Sequence, residues 1–166
     1  MQKILLCLSI AIALLSSIVV TEGIGEKLNL RFKNNGDGIV TDLKTGLMWT
    51  KDANLPRDTF TFREAVDYVA GMNDGNQANF GYTDWRLPYL SELQSLIDYT
   101  MHTRWGHMLP SGHPFQNVKS LRFNNRSSAT YLTNTDFSWF VSFYCRLVGH
   151  NVNSCYGYVW SVRDSQ

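Results

Sequence analysis

Two clusters of turn-forming residues, lying close together in the chain, confine it more tightly than any other feature. They are Asn34-Asn35-Gly36-Asp37-Gly38 and Asp42-Leu43-Lys44-Thr45-Gly46. Both are made of residues whose side chains or backbone freedom favour reversals. The runs that follow them, Ile39-Val40-Thr41 and Leu47-Met48-Trp49, are β-branched or large and apolar. The pattern predicts a tight hairpin with Trp49 directed into a core, and residues 24–58 as a whole read as β-structure with tight turns. The first cluster also looks like the start of a calcium loop. Counting from Asn34, however, Thr45 stands where an EF-hand needs its twelfth-position glutamate. A turn is expected there, and neither a metal nor a cofactor.

The rest of the composition suits such a core. In 166 residues the chain carries 44% hydrophobic, 13% aromatic and 17% charged residues, enough to bury one domain and too much apolar surface for a disordered chain. The formal net charge is +1, without the basic excess of a general nucleic-acid binder.

The N-terminus concerns address rather than fold. Lys3 precedes the uncharged run Ile4–Val20, and Thr21-Glu22-Gly23 follows it. This is the layout of a signal peptide, so residues 1–23 are read as signal and 24–166 as the domain, exported to periplasm, cell surface or medium. The run is also at the short limit for spanning a bilayer, and an uncleaved anchor is the alternative. After cleavage no membrane association is expected. Cys7 leaves with the signal, and Cys145 and Cys155 remain. An even pair in an oxidising compartment reads as a disulfide stapling the last two strands, worth about 2–3 kcal/mol for so short a loop.

Thr61-Phe62-Arg63-Glu64 is a capping box. Phe62, Ala65, Val66, Val69 and Met72 then form the apolar stripe of a first helix. A second helix is predicted over Ser91–Tyr99, with Leu93, Leu96 and Ile97 buried. From Tyr99 to Thr135 there is no acidic residue, but Arg104, Lys119, Arg122 and Arg126 occur with His102, His107 and His113. Pro110, Gly112 and Pro114 interrupt the stretch, which reads as a long irregular, functional loop. Strands are predicted over Ala129–Thr133, Ser138–Phe143 and Tyr158–Arg163.

Three stretches resemble the Legionella collagen-like protein C-terminal domain family. The first runs from Arg31-Phe32 through Asn35–Gly38 and Val40–Asp42 to Thr45-Gly46-Leu47-Met48-Trp49. The second is Gly81-Tyr82-Thr83-Asp84-Trp85-Arg86-Leu87-Pro88 with Glu92–Tyr99, and the third is Trp139–Phe143 with Tyr158-Val159 and Val162-Arg163. The resemblance spans about residues 31 to 163. It implies an α+β fold of C-type-lectin-like type: two helices packed on a small, mainly antiparallel sheet, with a long irregular loop region. Two features depart from the family pattern. Tyr131-Leu132-Thr133-Asn134-Thr135 replaces the usual Tyr-Trp-Ser-Ser-Thr, and the cysteine pair is not a hallmark. No collagen-like repeat precedes the domain in this chain, so a trimerising stalk is not expected. The motif residues read first as scaffold: Trp85 and Leu87 as core, Asp84 and Arg86 as a partly buried pair.

The resemblance implies binding of sulfated or acidic glycans of the glycosaminoglycan kind, in adhesion or cell-surface interaction. The residues supply an independent motive. Residues 24–98 hold 11 acids and 8 bases, whereas 99–166 hold 2 acids and 6 bases, and such basic clusters recognise sulfate. The ligand-binding candidates are Arg104, Trp105, Lys119, Arg122 and Arg126. Trp105 and Phe115 either stack on sugar rings or anchor the loop to the core. The alternative partner is a cell-surface protein, with the domain as an envelope or appendage component. An enzyme of the sulfatase-modifying branch would need a reactive cysteine pair, and no catalytic residues are assigned. His102, His107 and His113 do not share a helix face. Oligomeric state is not legible.

Overall fold

The computed structural model describes residues 31–100, 108–119, 125–131, 134–143 and 147–165. The predicted hairpin is present and forms the centre of a four-stranded antiparallel sheet. Its strands are β1 (Phe32–Asn34), β2 (Ile39–Asp42), β3 (Leu47–Thr50) and β7 (Val162–Asp164), in the order β1-β2-β3-β7. Strand alternation sorts the side chains onto two faces. Val40, Trp49 and Val162 lie opposite one another on one face, Thr41, Met48 and Arg163 on the other.

Helix α1 (Phe62–Asn73) covers the Met48 face. Its N-terminus is fixed by the capping box read from the sequence. The Thr61 backbone N–H donates to Glu64 Oε2 at 2.8 Å, and the Glu64 N–H donates to the Thr61 hydroxyl. Ala65, Val69 and Met72 bury their side chains against Ile39, Trp85, Leu87 and Val159. Val66, placed in the stripe by its spacing, is 41% exposed instead, because it lies at the margin of the covered arc.

The Trp49 face meets a second core built from Phe32, Val40, Leu93, Leu96, Phe115, Val141, Phe143 and Trp160. Trp160 is its joint, with ring centroids 4.9 Å from Phe115, 5.3 Å from Trp49 and 5.7 Å from Phe143. Its indole N–H donates to the Thr50 carbonyl at 2.9 Å, whereas that of Trp49 finds no acceptor among the described residues. Helix α2 (Leu90–Ser95) is shorter than predicted. Leu96 and Ile97 are buried as expected, but from the turn that follows it.

A second sheet, which the resemblance did not anticipate, contains β4 (Asn125–Tyr131), β5 (Asn134–Ser142) and β6 (Leu147–Val152), antiparallel in that order. Helix α2 lies against β4 and β5. Two expectations change with it. Residues 125–128, assigned to the long loop, are strand and continue into the strand predicted from Ala129. And β6 occupies the interval that was to be a turn between Cys145 and Cys155. Cys145 lies outside the described residues, and Cys155 carries a free thiol, so the structure contains no staple there. The physical reason is length. A six-residue strand holds its ends about 16 Å apart, whereas a disulfide needs Cα atoms within about 7 Å.

Candidate binding site

The charged residues of the recognisable motifs are occupied with holding the first sheet. Arg31 grips Asp42 with two hydrogen bonds, of 2.8 and 2.6 Å. Burial opposes the Asp42 charge, but Arg31, the Lys44 backbone N–H and the Thr45 hydroxyl outweigh it and hold the carboxyl below its ordinary value. The expected Asp84–Arg86 pair does not form. Residues 84–86 run beside β7, where Arg86 and Val162 exchange backbone hydrogen bonds, and the cross-strand partners take over. Arg163, 2% exposed, donates to Asp84 at 2.7 and 3.1 Å and lies 3.8 Å over the Tyr82 ring. Its hydrogen bond is the main reason the Asp84 carboxyl sits below its ordinary value. Arg86 instead reaches Glu92 in α2, twice at 2.8 Å, and Asp164 at 3.0 Å. Those bonds, Glu92 first, raise the Arg86 pKa further against the cost of its burial. Chemically these are struts, and none offers a free charge to a ligand.

The second sheet is different. Along β5 and β6 the pairs Phe137–Val152, Trp139–His150 and Val141–Val148 share one face. At the Val141 end this face enters the core. Toward the other end it emerges, with Phe137 and Trp139 half-buried and His150 exposed. The His150 ring lies 5.5 Å from Phe137 and 5.7 Å from Trp139, so three rings form one outward strip. On the opposite face the Phe140 ring lies across Gly149, where an added Cβ would come within 2.8 Å of Phe140 Cζ. A side chain at this position would have to displace the buried Phe140 ring, so the close approach favours glycine there.

Of the predicted ligand contacts, Arg104, Trp105 and Arg122 lie outside the described residues, as do His102 and His107. Lys119 is half-buried at the end of the 108–119 segment. Arg126 stands on β4 opposite Phe140. Phe115, for which stacking and anchoring were both open, is an anchor: it is buried, edge-on to Phe32 and Trp160 at 4.9 Å each. Of the strip residues, Trp139 entered only as the start of a family stretch, and Phe137 and His150 were not singled out from the sequence. The available signal was the spacing of Phe137 and Trp139 by two, which places both on one face of a strand. Their exposure depends on β6. A further concavity of about 440 Å³ runs between α1 and residues 85–89, lined by Phe62, Val66, Trp85, Leu87 and Tyr89 among others.

The domain is thus an α+β protein of two antiparallel sheets and, among the described residues, two helices, with its charged struts gathered at the first sheet and a half-buried strip of rings on the second. No curated protein matches the chain. The Lcl C-terminal domain family matches residues 38–163, and the chain belongs to that family.

Proposed function

We propose that the domain is an exported binding module that recognises sulfated or acidic glycans in adhesion or cell-surface interaction, and that it is not an enzyme. The observation that carries the reading is the Phe137–His150–Trp139 strip beside β4. That strand belongs to a 37-residue stretch with no carboxylate and four fixed cations. Rings supply an apolar face for the C–H side of a sugar, and arginines bind sulfate or carboxylate in a planar fork. The C-type-lectin-like relation belongs to the same proposal, supported by two helices on antiparallel sheets. Export is supported by the Ile4–Val20 run. No helix among the described residues is long and apolar enough to cross a membrane.

A second reading, a protein partner docking on the concavity between α1 and residues 85–89, is favoured by the exposure of Val66 and Tyr89 at its edge. One experiment separates the two. Purified protein is passed over immobilised heparin across a salt gradient, with and without a calcium chelator. The glycan reading requires retention that survives chelation and collapses as salt shortens the Debye length toward about 8 Å and below. No retention at low salt overturns it and transfers the lead to the protein partner.

A further inference from the structure

A second polar constellation lies away from the basic stretch, where the 108–119 segment clamps the chain after β3. The Lys51 carbonyl accepts from Gln116 N–H at 2.8 Å, and Ala53 N–H donates to the Gln116 carbonyl at 2.9 Å. This clamp brings Asn117 to Asp52, and Asn117 Nδ2 donates to Asp52 Oδ2 at 2.9 Å. Asn54-Leu55-Pro56-Arg57 then turns, closed by the Arg57 N–H on the Asn54 carbonyl at 3.0 Å. The turn returns the Arg57 guanidinium to the same Asp52 oxygen at 2.8 Å. The Asn54 N–H donates to the other oxygen of that carboxylate.

Several features of this corner exceed what a turn needs. Arg57 and Asn117 both hold left-handed backbone, with φ of 62° and 53°. Glycine adopts that conformation without cost, and arginine rarely does so. The Arg57 side chain is 63% exposed and commits one of its five N–H donors to Asp52. Asn117 keeps its Oδ1 as an acceptor. Asn54 is 2% exposed, and its side-chain oxygen has no hydrogen-bond partner among the described residues, a state that buried polar atoms rarely tolerate. Beside them Tyr68 lies in the field of Asp52, its ring 5.6 Å from Phe60 and both rings half-buried. Burial, and then the Asp52 charge, hold the Tyr68 phenol above its ordinary value.

We propose that Asp52, Asn54, Arg57 and Asn117 form a subsite that reads the adjacent hydroxyls of a sugar ring. The chemistry chooses among ligand classes. A divalent cation would face the Arg57 charge, and a sulfate or phosphate would face the Asp52 carboxylate. A hydroxyl donates and accepts at once, and matches a set that mixes fixed donors with fixed acceptors. The Phe60 and Tyr68 rings supply the apolar side that a sugar ring needs. The inference rests on the glycan reading for its class of ligand, but it assigns neutral hydroxyls, not sulfates, to this corner.

The test is a titration of ¹⁵N-labelled protein, followed at the side-chain amides of Asn54 and Asn117 and at the Trp139 indole. The probes are methyl α-mannoside, methyl β-galactoside, methyl β-glucoside, a heparin tetrasaccharide and calcium chloride. The expected result is a saturable shift of the corner amides with at least one neutral glycoside, weakened at least about tenfold in Arg57→Gly and in Asn117→Gly. Glycine suits the left-handed backbone at both positions, so both variants should keep the wild-type fold while losing the site. A neutral-glycoside shift that persists in both variants overturns the subsite. So does a saturable calcium shift without sugar. A response to heparin at Trp139 with no neutral-glycoside shift at the corner overturns the subsite and leaves the glycan reading standing. Silence with every sugar probe overturns both.

Discussion

Around the four-stranded sheet, Arg31, Arg86 and Arg163 each hold at least one carboxylate, whereas on the three-stranded sheet Phe137, His150 and Trp139 hold one another and face outward. The same residue types that bind ligands in many proteins do mechanical work in the first region. Arg163 ties β7 to residues 82–84, and Arg86 ties β7 to α2. The motifs that identify the family fall mainly on those struts and on the core residues Trp49, Trp85 and Leu87. Family membership therefore speaks for the fold, and the side chains that would meet a ligand must be found by exposure rather than by motif.

The sharpest way to break the contrast is at Trp160, where the two regions share a ring cluster. Trp160→Ala should cost about 3–5 kcal/mol, a large part of the stability of a domain this size. It should lower the denaturant midpoints of both sheets together. If the near-ultraviolet signal of the second sheet held its midpoint, the regions would be energetically separate. Asp84→Asn tests the struts. A fully buried pair that loses one partner costs about 3–5 kcal/mol. Asp84 is 44% exposed, so solvent screening reduces the expectation to about 2–3 kcal/mol in urea melts. A loss below about 0.5 kcal/mol would mean that Arg163 is held by Tyr82 and Met48 rather than by charge.

The struts also set the acid response. Asp42 and Asp84 both titrate below the ordinary carboxylate value when folded. Between the folded and unfolded values the unfolded chain binds more protons, so stability rises with pH there. Their contribution is complete above the unfolded value, near pH 4, and is lost as pH falls through the folded values. Urea midpoints should fall as the pH is lowered from 5 to 2, and Asp84→Asn should flatten part of that slope. A variant slope identical to the wild type would remove Asp84 as a source.

The hairpin and the α1 cap were legible because their chemistry is local: a turn cluster, and a Thr–Glu pair three residues apart. What failed was decided by partners far along the chain. Asp84 and Arg86 are neighbours, yet Asp84 takes its partner 79 positions away on β7. Leu147-Val148-Gly149-His150-Asn151-Val152 carries a glycine and polar residues and reads as a connection. It becomes a strand because Phe140 fills the space that Gly149 leaves. The Asp52 corner was equally hidden, since Asn117 reaches it across 65 positions and only the Pro56 turn is visible locally. Gly149→Ala checks this account of β6. The added methyl should displace Phe140 and cost about 1–3 kcal/mol, read as a fall in urea midpoint. A neutral result would show that β6 does not need the close approach.

The smallest stability effect should accompany the largest functional one. Trp139 meets solvent along part of its ring, and its packing with His150 is a ring contact worth about 1 kcal/mol. Trp139→Ala, which loses the buried part of the ring as well as that contact, should therefore cost about 1–2 kcal/mol while losing retention on heparin. Phe137→Ala should act in the same direction. The loss has to appear at low salt, where the basic stretch is at its strongest, because stacking and charge are then separable: removing a ring takes away affinity without changing its salt dependence. If Trp139→Ala elutes at the wild-type salt concentration, the ring strip is only the outer margin of the core. The contrast between the sheets would then be one of packing alone. If retention is lost while the fold holds, the first two family stretches serve the first sheet and the ligand is met on the second, where the third stretch begins at Trp139.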